Sequence, residues 1–312
     1  TYFALPVVTH CVTSGRYPST IRPICCMLPG ILLALGACGH QTNDDTPVET
    51  GAASVDLEVA LVVEVQESDS LYLGAPSAFA INPATGHFWV ADRFHGHIIE
   101  IGRDGVIRRR IGNKGEGPGE FRIPRAILVQ DSVLFVADAM SARLTWFSLP
   151  DGSLLGTRNI VSGIPSDLDA TSGALMIGSL SRADSFGVVK TIPMGSRSDL
   201  RFARMPDHYL ALPSVSGIFT SVFVAAWADT VAVMYQASDT VRLYAGADLK
   251  PAGKIPFIPL LRCGVTQEGI RGFNELSFPE MFARFSAGFL LHRMPDGRLL
   301  TVHLDQEIVD RD

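Results

Sequence analysis

The chain has 312 residues, 47% of them apolar, with 32 acidic against 26 basic side chains and a net charge of -6. That length holds one large all-β domain or two average domains, and the apolar fraction supports a sizeable core. The acidic balance, with no basic stripe, excludes a nucleic-acid binder, and five cysteines, four of them within the first 38 residues, exclude a disulfide framework in the body.

The first recognisable element is the run Met27-Leu28-Pro29-Gly30-Ile31-Leu32-Leu33-Ala34-Leu35-Gly36-Ala37-Cys38. Its apolar core is too short to span a bilayer, which needs about 20 residues, but it suits the hydrophobic region of a signal peptide. It ends in Leu35-Gly36-Ala37-Cys38, which resembles a bacterial lipobox: small residues at a cleavage site, then a thiol that takes the lipid. Cys38 is therefore the expected lipidation site. Residues 1–38 are read as the signal-peptide region. The run lacks a basic start, its nearest cations being Arg16 and Arg22. Residues 1–26 are accordingly read either as a leader translated from further upstream or as an artefact of the gene model. Residues 39–55, opening with Gly39-His40-Gln41-Thr42-Asn43-Asp44-Asp45, are polar and cannot bury a core, so a flexible tether is expected there. The implied location is the cell envelope, lipid-anchored and facing the periplasm or exterior.

The body, 56–312, repeats. After an apolar run at 57–65, expected to close the last repeat as its outer strand, come two units that align. The first contains Phe88-Trp89-Val90-Ala91-Asp92, His97-Ile98-Ile99-Glu100-Ile101 and Asp104-Gly105. The second contains Leu134-Phe135-Val136-Ala137-Asp138, Arg143-Leu144-Thr145-Trp146-Phe147 and Asp151-Gly152. Asp92 and Asp138 are 46 positions apart, Gly105 and Gly152 are 47, and Pro76 and Pro124 are 48. The pair Pro165 and Pro213 repeats the spacing of 48 in weaker context. Each unit reads as four short strands, a to d, with a hairpin at Asp-Gly predicted as a type I′ turn. The strands are near-continuous apolar runs, which fits sheets covered on both faces. A four-stranded unit of this length, repeated radially, is a propeller blade. Val222–Ala228, Thr230–Tyr235 and Thr240–Tyr244 supply a later unit, and Gly288–Arg293 with Arg298–Leu304 begin another. The fold class predicted is an all-β propeller of four-stranded antiparallel blades. Six are expected and five to six present, with the last incomplete at Asp312; a five-bladed ring is the alternative. Cys263 reads as a buried thiol, and Trp89, Trp146 and Trp227 as packing between blades.

The Gly-rich stretch Gly112-Asn113-Lys114-Gly115-Glu116-Gly117-Pro118-Gly119-Glu120-Phe121, followed by Pro124 and Val136-Ala137-Asp138, resembles the connector of NHL repeats. It is similar to that of six-bladed β-propeller lipoproteins of environmental bacteria. The likeness covers residues 76–157, about a quarter of the chain. It implies the fold more than an activity, because NHL-type propellers include peptide-amidating lyases as well as pure binding modules.

Strand direction alternates, so the d–a connectors and b–c loops should share one face of the ring. Loops held by rigid scaffolds are where binding residues concentrate. The candidate ligand-binding residues on that face are Arg93, His95, His97, Lys114 and Arg143. Two histidines at 95 and 97 have metal or acid–base chemistry available, but the spacing fixes no further ligand, so no metal and no cofactor is assigned. Asp92 and Asp138, one per unit, read as turn caps. The Gly112–Glu120 stretch lacks the Gly-Lys-Ser/Thr ending of a phosphate loop and leads into a strand. No zinc-protease or nucleophile-elbow motif is present, so no catalytic residue is named. The sequence therefore reads as a membrane-anchored binding or scaffold module for a protein, peptide or glycan. The competing reading is a propeller lyase or hydrolase, metal-dependent or not, with its site at the channel mouth.

Overall fold

The computed structural model describes residues 7–12, 52–54, 63–69, 71–160, 163–171, 173–180, 185–191, 199–211, 219, 221–256, 287–294 and 297–304. Two strands come first in the chain, β1 (Val7–Val12) and β2 (Ala52–Ser54). The first blade is β3 (Pro76–Ile81), β4 (Phe88–Asp92), β5 (His97–Ile101) and β6 (Ile107–Ile111). The second is β7 (Pro124–Gln130), β8 (Val133–Asp138), β9 (Arg143–Ser148) and β10 (Leu154–Asn159). The third is β11 (Ile164–Thr171), β12 (Ala174–Leu180), β13 (Phe186–Thr191) and β14 (Leu200–Arg204), followed by the short helix α1 (Asp207–Ala211). The fourth is β15 (Val222–Trp227), β16 (Thr230–Tyr235), β17 (Thr240–Ala245) and β18 (Lys250–Pro256). A fifth sheet pairs β19 (Ala287–Arg293) with β20 (Leu299–Leu304), and β1 and then β2 extend it.

Within the first four sheets the strands lie side by side in chain order and pair antiparallel throughout. The first strand of each blade packs against the first strand of the next, in the order β3, β7, β11, β15, β19. These inner strands face the axis, and the protein is a β-propeller. Cys263, Pro213 and Cys38 fall outside the described residues, as do residues 39–51 and 55 of the expected tether, whose residues 52–54 form β2.

The continuous apolar runs follow from burial of both faces of each blade. Trp89, Ala91 and Ile98 of the first blade pack with Val129, Leu134, Val136 and Phe147 of the second. The opposite face of the second blade, with Phe135, Ala137, Leu144 and Trp146, meets Leu168, Leu175, Ile177 and Val189 of the third. Val188 and Phe202 meet Val224, Val231 and Val233 of the fourth. Ala232, Met234 and Val241 meet Leu291 and Leu299 of the fifth sheet. Each such side chain taken from water contributes about 1.5–3 kcal/mol. The three tryptophans lie at these seams or packed against them.

Polar side chains lace the inner strands together. Ser77 Oγ donates to Pro124 O at 2.6 Å, joining the first blade to the second. Ser166 Oγ donates to Val222 O at 2.9 Å, and Val222 N returns a bond to it at 2.8 Å. Asp167 and Asp169 accept from Val224 N at 2.9 Å and Ala226 N at 2.7 Å.

Two details differ from the sequence reading. The Asp-Gly hairpin of the first blade is not a type I′ turn. Only Gly105, at φ 80°, is left-handed there, and Asp104 is not. Gly105 N donates to Gly102 O at 3.0 Å, and the ladder slips by one residue beside it between Glu100 and Ile101. This is a tight turn closed by a glycine bulge, and Asp104 accepts from Val106 N at 3.2 Å instead of entering the left-handed region. The second detail is the run at 57–65. Residues 57–62 lie outside the described residues. Val65 packs on Val90, Ile99 and Ile101, and Gln66 bridges to Val106, so the end of this run covers the first blade. The edge of the fifth sheet is taken by β1 and β2, of which β1 lies upstream of Cys38 and so belongs to the chain before the expected cleavage.

Candidate functional site

The site grows from one buried carboxylate. Asp92 ends β4, is fully buried, and collects five donors: Gly74 N at 2.5 Å, Ala75 N at 3.2 Å, Phe94 N at 2.8 Å, His95 N at 3.2 Å and His95 Nδ1 at 3.0 Å. The first two belong to the segment entering β3 and the others to the β4–β5 loop. The carboxylate thus staples the a-strand entry to the b–c loop, which puts both on one face of the ring. Arg93 N donates to Ala75 O at 3.0 Å and completes the staple. Burial works to raise the Asp92 pKa, but the bonds from His95, Gly74 and Ala75 outweigh it and hold the carboxyl at about 2.

The second blade repeats this device. Asp138, also fully buried, accepts from Arg122 N at 2.5 Å, Ile123 N at 3.3 Å, Met140 N at 2.9 Å and Ser141 N at 3.1 Å. Ala139 N donates to Ile123 O at 2.9 Å, as Arg93 N does to Ala75 O. Both aspartates are therefore structural caps of the Asx kind. The two blades differ in what surrounds the cap: His95 and His97 in the first correspond to Ser141 and Arg143 in the second.

His95 and His97 stack with ring centroids 5.0 Å apart and an interplanar angle of 11°. Tyr72 meets the His95 ring edge-on at 4.7 Å and Phe94 does so at 4.9 Å. Gly74 leaves the room for this: a Cβ there would lie 2.8 Å from both His95 Cε1 and Phe94 Cδ1. His97 is 5% exposed, and its Nε2 has no hydrogen-bond partner. Burial lowers its pKa, with the charges of His95 and Arg110 adding and that of Asp92 opposing, so the ring is neutral at pH 7. One ligand-capable atom from each of Asp92, His95 and His97 lies within 4.8 Å of the other two.

The other candidate residues are placed as follows. Lys114 Nζ donates to Phe94 O at 2.9 Å and lies 5.7 Å from the Phe94 ring centre, clamping the b–c loop of the first blade. Arg143 spends its guanidinium on the connector, donating to Glu116 O at 2.9 Å, Gly117 O at 3.1 Å and Glu120 O at 2.5 Å. Glu120 in turn accepts from Gly117 N at 2.8 Å. The Gly-rich stretch is thus folded on itself and held from the next blade. Arg93 has an exposed side chain, and its charge acts on Arg125. Beside Lys114, a cleft of about 350 Å³ is lined by Gly115, Glu116, Arg122, Ile123 and Met140. Phe94 and Met140 stand out from this face at 60% and 53% exposure.

The sequence reading missed the charged groups of the inner strands. Burial, and then Arg93, lowers the pKa of Arg125 on β7. Burial pushes the Asp167 carboxyl on β11 up to about 7, against bonds from Val224 and Leu168, and raises Asp169 as well. The available signal was a charge inside a run that should be an apolar first strand, as in Pro124-Arg125-Ala126-Ile127 and Pro165-Ser166-Asp167-Leu168-Asp169.

No known family and no curated protein matches the chain. Solved structures do resemble it in fold. A chain of a nidogen/laminin complex is 17% identical, with 60% of this chain and 65% of that one covered and a TM-score of 0.45. A streptogramin B lyase is 11% identical, with 74% and 65% covered and a TM-score of 0.45. A protein of Bacteroides fragilis described as exported is 11% identical, with 78% and 94% covered and a TM-score of 0.38. No helix among the described residues is long and apolar enough to cross a membrane.

Proposed function

We propose that the protein is an extracytoplasmic binding module, anchored through a lipid on Cys38, that takes a protein or peptide ligand on the b–c and d–a loop face. The observation carrying this reading is the exposed pair Phe94 and Met140 beside the Lys114–Arg122 cleft, on loops whose backbone is pinned by Asp92 and Asp138. Exposed apolar side chains rimmed by charge, on a rigid frame, are the anatomy of a binding patch. A peptide fits better than a glycan. Sugar recognition by an aromatic ring needs an open ring face, and Lys114 stands over Phe94 while His95 meets its edge region. Lys114 and Arg93 favour a ligand that is apolar with acidic flanks, Arg122 being paired with Glu116 at 3.0 Å.

Selection of a displayed peptide library on the full chain tests this. Enriched acidic–apolar sequences whose binding is lost in Phe94→Ser and Met140→Ser, with the β-sheet spectrum unchanged, are expected. Enrichment of nothing, or of peptides indifferent to both substitutions, refutes it, as does a glycan array giving hits where peptides give none. Anchoring is tested separately: mass spectrometry should find an acylated Cys38, and Cys38→Ala should release the protein from the membrane.

The Asp92–His95 contact favours one second reading. An imidazole oriented by a buried carboxylate is a competent general base, so a lyase or hydrolase site would centre on His95.

A further inference from the structure

We propose that His95 and His97 form a two-imidazole site for a borderline divalent cation, Cu²⁺ or Zn²⁺, with Asp92 as the outer carboxylate that orients His95. The inference stands apart from the ligand reading above and needs no ligand for its test.

The first argument is a comparison of two blades of the same chain. The cap at Asp138 is built from backbone N–H groups alone, with serine and arginine at the positions of the two histidines. The fold therefore does not require imidazoles at 95 and 97. Arg143, the counterpart of His97, holds the connector through its Nη atoms, although its Nε, like Ser141 Oγ, is buried without a partner. His97 holds nothing with its Nε2, which is buried and unpartnered. A buried polar atom without a partner costs free energy and calls for an explanation. A bound cation supplies one.

The second argument is the tautomer. Ionised Asp92 only accepts hydrogen bonds, so the proton of the Asp92–His95 contact sits on His95 Nδ1 and leaves the lone pair on Nε2. A carboxylate on one imidazole nitrogen and a metal on the other is the usual second-shell arrangement, in which the carboxylate raises the basicity of the ligand. Asp92 is excluded as a direct ligand because its oxygens already take five donors.

The third argument is chemical. Imidazole nitrogens suit Zn²⁺ and Cu²⁺ and not Ca²⁺ or Mg²⁺, and between the first two Cu²⁺ binds the same set more tightly. Two ligands at about 2.0–2.1 Å from a tetrahedral ion lie roughly 3.3 Å apart. One ring nitrogen of each histidine, together with an Asp92 oxygen, lies within 4.8 Å of the others. To bring both lone pairs to one ion, His95, with 23% of its side chain exposed, has to turn out of its parallel stack with His97 while keeping its bond to Asp92. Tyr72 and Phe94 flank it with apolar edges, and Arg110 near His97 offsets part of the Asp92 charge.

The test is metal titration of the chelator-stripped full chain. Calorimetry with Zn²⁺ and electron paramagnetic resonance with Cu²⁺ should show one site, the Cu²⁺ spectrum carrying coupling from two nitrogens. His95→Gln, which keeps an amide donor toward Asp92, and His97→Gln should each weaken binding by at least ~10-fold, since losing a ligand costs no less than losing its outer-shell partner. His87→Gln should leave it unchanged, because His87 lies elsewhere, against Glu100 at 2.9 Å. If His97→Gln does not fold, His95→Gln and the nitrogen count decide. No binding at about 100 µM metal, affinity unaltered in His95→Gln, or coupling from a single nitrogen overturns the proposal.

Discussion

Replacing Asp138 by asparagine tests the reasoning that a single carboxylate holds each blade's loop face together. The side chain is fully buried and accepts from Arg122 N, Ile123 N, Met140 N and Ser141 N. Asparagine keeps one acceptor oxygen and turns an amide N–H₂ toward donors that the other oxygen served. Hydrogen bonds to a charged acceptor are worth about 1.5–3 kcal/mol, and an orphaned buried donor costs about 1–3 kcal/mol. Met140 and Arg122 are exposed residues whose donors can recruit water, whereas Ile123 is partly buried. The expected loss is then about 3 kcal/mol, a large share of the ~5–15 kcal/mol that holds a typical domain. With a urea slope of about 2 kcal/mol per molar, the midpoint should fall by roughly 1.5 M. Trp89 and Trp146, at the two seams of the second blade, report the transition by fluorescence. Asp138→Ala, with no acceptor at all, should fall further. A midpoint within about 0.3 M of the parent at unchanged slope would refute the capping argument for both blades.

Four further outcomes follow from the same structure. Asp92 titrates at about 2 in the fold against an ordinary 3.8, so its stabilisation is present above pH ~4 and lost as pH falls through 2. His97 is lowered, so the unfolded chain takes up its proton first, and in chelator the melting temperature should begin to fall below pH ~6.5, a step that His97→Gln removes. Asp167 behaves oppositely: raised from 3.8 to about 7, it stays protonated in the fold where the unfolded chain has released its proton. Its favourable contribution is present at acid pH and is eroded as pH rises to 7, so Asp167→Asn should gain in melting temperature over the parent between pH 5 and pH 8; a difference independent of pH would contradict the burial argument. Gly74→Ala places a Cβ 2.8 Å from His95 Cε1, and should displace the ring, cost about 1–3 kcal/mol and shift the His95 imidazole resonances. Unmoved resonances would show that the Gly74 approach does not position His95.

The blade pattern was legible because both faces of a blade are buried. Val90 and Ala91, or Val136 and Ala137, point to opposite seams yet both meet apolar neighbours, so the repeat is written in unbroken runs. The third blade was harder to read. Its inner strand carries Asp167 and Asp169, tolerated there because Val224 and Ala226 donate to them across the seam. The turn at Asp104-Gly105 was placed correctly but given the wrong geometry, since Asp-Gly serves a bulged turn as readily as a type I′ turn. Within the site, spacing alone grouped His95 with His97. It did not show that Asp92 joins them, that Gly74 makes room, or that Lys114 and Arg143 are tied to backbone carbonyls, because each of those contacts crosses about 20 residues or more of chain, or depends on side-chain rotation.

The two caps also show how such a ring accommodates new chemistry at little cost to folding. The carboxylate binds backbone N–H groups, which any residue provides, so the side chains three and five positions beyond it are released from the task of holding the loop. In the second blade that freedom is used structurally: Arg143 reaches the Gly-rich connector and fixes it at three carbonyls. In the first blade it is used for two stacked imidazoles, one oriented by the cap itself and one buried with a nitrogen unpartnered. Repeated residues at Asp92 and Asp138 thus mark what the fold needs, and the departures between blades mark where chemistry is available. By that logic the first blade, and not the more regular second, is the place to look for activity in this chain.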